Sequence, residues 1–99
     1  MKLQHHQGIL KVKPEHMTEF RNMLIECEKL VFEKQGEGGP INWSCTEDLE
    51  QAQFDNFALF PDDAAVAFHQ SNIKSYIEGS IHMLAGPPET IIREVFAKA

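Results

Sequence analysis

The sequence predicts an α+β domain of ferredoxin-like order, β-α-β-β-α-β, with an antiparallel sheet and both helices on one of its faces. Three observations predict it. The chain has 99 residues, room for one core, so residues 1–99 read as a single domain. One apolar stripe at helical spacing, Met17, Phe20, Leu24, Cys27 and Val31, runs through its first third. Clusters of proline and glycine at Pro14, Gly36 to Pro40, Pro61 and Gly86 to Pro88 cut the rest into segments of strand or helix length.

Leu3 to Lys13 is the first strand, with Gly8, Leu10 and Val12 on one face and Ile9, Lys11 and Lys13 on the other. Pro14 stops it and suits the first position of a helix, where Glu15 and Glu19 lie near the positive end of the dipole. Met23 and Leu30 widen the helix's stripe. Gly36 is placed to end it, and Gly36 to Pro40 reads as a flexible turn. Ile41 to Thr46 is the second strand, with Ile41, Trp43 and Cys45 facing one way; Glu47 to Gln51 is an acidic hairpin loop. Gln53 to Phe60 is the third strand and is apolar on both faces. Asp62 is the expected cap of a short helix from Ala64 to His69. After a kink near Ser71 and Asn72, Ile73, Ile77, Ile81 and Leu84 continue in helical register, and Thr90 to Phe96 is the last strand.

Composition excludes several functions. The formal net charge is -6 and the nine basic residues are scattered, which is the wrong electrostatics for phosphate, so no nucleic-acid partner is expected. No apolar run approaches the ~20 residues that cross a bilayer, and Met1 to Gln7 is too polar for the core of a signal peptide. A cytoplasmic protein with no membrane partner is expected. Cys27 and Cys45 are too few for a disulfide or zinc framework and read as small buried side chains.

Two helices on one sheet face leave the other bare. Ile9, Phe57, Leu59 and residues of the last strand then form an apolar patch, and pairing of two sheets in a homodimer would cover it.

Four stretches resemble the antibiotic biosynthesis monooxygenase domain family. They are Val12-Lys13-Pro14-Glu15-His16 with Glu19-Phe20; the glycine turn leading into Trp43; Phe60-Pro61-Asp62 with Ala65 and His69; and Leu84 through Gly86-Pro87-Pro88-Glu89. They span nearly the whole chain in order. The resemblance implies a dimeric α+β barrel, a homodimer joined through its sheet faces, and a small aromatic or quinol-type substrate held between sheet and helices. It also implies oxygenation without a cofactor or metal. The chain departs from the family twice: Ala58 and Phe60 stand where members that oxidise aromatic compounds often have Glu-x-Trp, and Asn72 stands in place of a serine.

By this resemblance His69 is the candidate catalytic base, since imidazole ionises near working pH and can accept and return a proton. Asn56 and Asn72 are candidate donors to a developing oxyanion, and Phe54, Phe60, Trp43 and Phe68 candidate walls. His6 lines the pocket if strand alternation runs back from Val12; otherwise it is a polar strand start. His16 and His82 read as solvent-facing helix residues. His6 and His69 have no carboxylate to complete a ligand set, so no metal is expected. Gly8 is either a point of close approach or a bulge. Two alternative functions fit the same fold. One is an isomerase or haem-degrading relative, against which Phe60 at the Trp position counts. The other is a non-catalytic ligand-binding or stress-associated dimer.

Overall fold

A computed structural model describes residues 2–99. The strands are β1 (Leu3–Lys11), β2 (Asn42–Asp48), β3 (Gln53–Phe60) and β4 (Glu89–Val95), and the helices α1 (Met17–Glu33), α2 (Asp63–Asn72) and α3 (Lys74–Ser80). Single 3₁₀ turns cover Pro14–His16, Gln35–Glu37 and Ile81–Met83. The sheet is antiparallel in the order β2-β3-β1-β4. This is the expected ferredoxin-like α+β arrangement, with the second helix divided in two.

Register sorts the side chains. His6 lies opposite Ala58 and Ile92, Gly8 opposite Asn56 and Thr90, and Leu10 opposite Phe54, while Trp43 pairs with Ala58 and Cys45 with Asn56. All of these share the face under the helices. The other face carries Leu3, His5, Gln7 and Ile9 of β1 beside Phe57 and Leu59 of β3 and Ile91 and Val95 of β4. Gly8 is in regular register with both neighbours, so it is no bulge.

The core has two parts. Val12, Phe20, Phe54 and Met83 form one, with the rings of Phe20 and Phe54 stacked at 5.3 Å. Ala58, Phe60 and Ala65 form the other, flanked by Trp43 and Val66. Burial of Phe20, Cys27 and Val31 accounts for the helical stripe of α1.

Several boundaries move for local reasons. β1 ends at Lys11 because Val12 turns aside to bridge Leu84 and donates its N–H to Ala52 O. α1 ends at Glu33, capped by Lys34, and the chain tightens into a 3₁₀ turn before Gly38, whose φ of +128° a side chain would strain. That turn is packed: Phe68 lies 3.7 Å from where a Cβ on Gly39 would sit. Ile41 falls outside β2 and is exposed, and β2 instead continues to Asp48. Asp62 caps α2 as expected, accepting from Ala65 N at 2.8 Å. The kink falls at Ile73, whose N–H still reaches His69 O while its own φ and ψ leave the helix.

Candidate functional site

A cavity of about 690 Å³ lies between the helix-covered sheet face and α1, α3 and the segment that follows α3. Gly8, Leu10, Asn56 and Thr90 form its floor, Phe20, Met23, Leu24 and Cys27 of α1 one wall, and Ile73 to Leu84 the other. Pro87 and Pro88 close one end. Gly8 matters here, because a larger side chain on the middle strand would project into this space.

The polar side chains on that surface are few: Asn56, Trp43, Ser80, Cys27, Tyr76 and Thr90. Asn56 donates through Nδ2 to Ser44 O at 3.2 Å and toward Cys45 Sγ at 3.5 Å. Its carbonyl oxygen is what remains to meet a ligand, so Asn56 offers an acceptor rather than the expected donor. Trp43 also lines the cavity, and its buried Nε1–H has no partner among the described residues. Ser80 donates to Ile77 O at 2.9 Å, and burial pushes the Cys27 thiol up to about 12, with Cys45 nearby adding to it. Among the described residues, the lining contains no imidazole, carboxylate or ammonium group.

The expected site residues are therefore distributed rather than gathered. Asn56 and Trp43 line the cavity. Phe54 is core beneath Phe20 and also borders a recess of about 480 Å³ between α1 and β2, which Arg21 and Glu47 span at 3.5 Å. Phe68 and Asn72 border a surface recess with Lys34 and Glu37.

His69, His6 and Phe60 form a cluster of their own. The His69 ring lies 5.4 Å from Phe60 and the His6 ring 4.8 Å from it, so both imidazoles pack on the same phenyl. His6 Nε2 meets Gln4 Oε1 at 3.0 Å, and Gln4 in turn donates to Asp63. His69 is only 6% exposed, and its Nδ1 is buried with no partner among the described residues. Burial, and secondarily His6, lowers its pKa to about 4. It is a neutral imidazole at pH 7. Burial lowers the pKa of His6 as well, His5 adds to this and Asp63 opposes it.

Reading the sequence missed the α3 wall. Ile73, Ile77, Ile81 and Leu84 were visible as a helical stripe, but a stripe packed on a core and one facing a cavity share the same periodicity. Tyr76 and Ser80 had no sequence signal as cavity residues.

Fold and cavity together define a class: a ferredoxin-like α+β domain with room for a small apolar molecule between its sheet and helices. Solved structures with this fold match it along nearly its whole length. One from Caulobacter crescentus, named a "putative antibiotic biosynthesis monooxygenase", superposes with a TM-score of 0.85 at 19% identity, covering 97% of this chain and 92% of its own. One of the same name from Bacteroides thetaiotaomicron gives 0.83 at 19% identity, over 96% and 90%. A Nitrosomonas europaea protein of unknown function gives 0.82 at 20% identity, over 100% and 94%. No family model and no curated protein matches the chain. At such identities the likeness establishes the fold, which is that of the monooxygenase-named structures.

Proposed function

We propose that the protein binds a small aromatic or quinol-type compound in the cavity between sheet and helices and oxygenates it as a cofactor-independent monooxygenase. The observation that carries the proposal is a cavity walled mainly by apolar and aromatic side chains, Phe20, Trp43 and Tyr76 among them, with Asn56 on its floor. A ligand hydroxyl can donate to the Asn56 carbonyl, the acceptor that the side chain's own hydrogen bonds leave over. Apolar walls hold little water around a bound anion and O₂.

The chemistry then draws its electrons from the substrate. For an activated methylene, the carbanion passes one electron to O₂ and the two radicals combine to a hydroperoxide. Loss of water leaves a carbonyl, so R₂CH₂ and O₂ give R₂C=O and H₂O. Among the described residues, no imidazole or carboxylate lines the cavity to take a proton, so the substrate has to reach it already ionised at working pH. A simple phenol, with a pKa of ~10, is almost wholly un-ionised at pH 7. Acidic quinol-type compounds that ionise near neutral pH fit better.

Oxygen uptake with hydroxyquinones and other quinol-type compounds that ionise near pH 7 tests this. Expected is one O₂ consumed per molecule of product, with turnover lost in Gly8→Leu, whose side chain points into the cavity. Absence of uptake across the panel would overturn it. A second reading, a non-catalytic binding module, is favoured by the lack of any imidazole or carboxylate among the described residues of the cavity lining. Thermal stabilisation by these compounds without oxygen uptake would select that reading.

The homodimer belongs to the same proposal. Its support is an unpartnered sheet face bearing Leu3, Ile9, Phe57, Ile91 and Val95. A cytoplasmic location is supported by two free thiols.

A further inference from the structure

We propose that His16, Glu19 and His82 form a surface site for a divalent transition-metal ion of the zinc type. Among the described residues, one group of three His, Cys, Asp or Glu side chains converges in this way, with its donor atoms all within 4.8 Å of one another. His16 Nδ1 lies 3.0 Å from Glu19 Oε1, and His82 Nε2 lies 3.8 Å from Glu19 Oε2. The two imidazoles face the same carboxylate from two sides, their rings 5.4 Å apart and nearly perpendicular.

Two imidazoles and one carboxylate are a donor set that zinc accepts, with the remaining position left to water. Bonds of ~2.0–2.1 Å place tetrahedral ligand atoms about 3.4 Å apart, so the separations found need only small side-chain adjustments. Access is open: the side chains of His16, Glu19 and His82 are 28%, 58% and 60% exposed. The chain's net charge of -6 also favours a cation.

The backbone beneath the site is already fixed. His16 N–H donates to Lys13 O at 2.8 Å, Lys13 N–H to Met83 O at 2.9 Å, and Ala85 N–H to Lys11 O at 2.8 Å. Val12 pairs with Leu84 across the same junction. The segments that carry His16 and His82 are thus hydrogen-bonded to each other, and neither ligand has to be recruited from a distant element. The ion would tie the start of α1 to the segment whose Ile81, Leu84 and Pro87 wall the cavity. The site stands independently of the reaction proposed above.

Titration of tag-free, chelator-treated full-length protein with zinc chloride is the test. Expected is saturable binding of one equivalent with a rise in thermal midpoint, weakened about tenfold or more in His16→Ala, His82→Ala and Glu19→Gln. Glu19 and His82 are exposed, so the zinc-free midpoint should stay put in Glu19→Gln and His82→Ala. A His5→Gln/His6→Gln variant should bind as the parent does. In the unmodified chain, cobalt(II) should perturb the imidazole NMR signals of His16 and His82 and leave those of His5, His6 and His69 in place. No saturable binding, binding that survives His82→Ala, or cobalt perturbation centred on His5 and His6 would overturn the assignment.

Discussion

His69 holds a ring nitrogen in the interior without a partner, and an arrangement of that kind has a measurable thermodynamic signature. Its pKa falls to about 4 in the fold, against ~6.5 in an unfolded chain. The folded state therefore binds fewer protons between those values. The stability gained from keeping the ring neutral is complete above ~6.5 and is lost as pH falls toward about 4. At about 1.4 kcal/mol per pH unit the loss comes to about 3 kcal/mol. Urea unfolding at pH 7 and pH 4.5 should show a steep decline that His69→Leu largely removes; equal declines in both proteins would refute it. Trp43 supplies a second test at this scale. Trp43→Phe removes a buried N–H that has no partner among the described residues, so its thermal midpoint should hold or rise; a clear fall would refute this.

Among the elements, α2 depends most on a single bond, from Ala65 N to the Asp62 carboxylate. Asp62→Ala should cost about 1 kcal/mol, measured by chemical denaturation, and Asp62→Asn much less. The turn after α1 depends on Gly38, whose positive φ is strained for any side chain. Gly38→Ala should destabilise by about 1 kcal/mol, whereas Gly36→Ala should not, since Gly36 has neither a positive φ nor a close neighbour. β1 poses a different question. A Cβ on Gly8 would meet Asn56 Cβ at an ordinary 3.7 Å, so Gly8→Ala fits, but a longer side chain there points toward the cavity. Gly8→Leu should abolish the thermal shift given by a bound quinol while the empty protein still unfolds cooperatively.

For the whole molecule, the sheet has one covered and one open face, and the proposed dimer is its resolution. Phe57→Lys places a charge on the open face between Gln7 and Ser44. Sedimentation should show the parent at twice the 11.3 kDa of one chain and the variant at the chain mass. A monomeric parent would end the dimer proposal.

Much of the fold was legible in the sequence because strand alternation, the α1 stripe, the Asp62 cap and the proline and glycine stops are local signals. The kink between α2 and α3 was legible for the same reason. Where the reading erred, backbone bonding was decided at long range: Val12 left β1 for Leu84, and Gly36 to Pro40 packed on Phe68. The candidate site was legible only in part. Trp43 and Asn56 line the cavity because strand register is fixed by alternation. The sequence by itself determined the order of elements and which sheet face lies under the helices. Only the tertiary structure decided that His69 stands beside Phe60 rather than on the cavity wall. It alone turned the Asn56 amide toward β2, and it brought His16, Glu19 and His82 together. The physical reason is the same in each case: periodicity fixes the direction of a side chain within its own element, but what it meets depends on how elements distant in sequence pack.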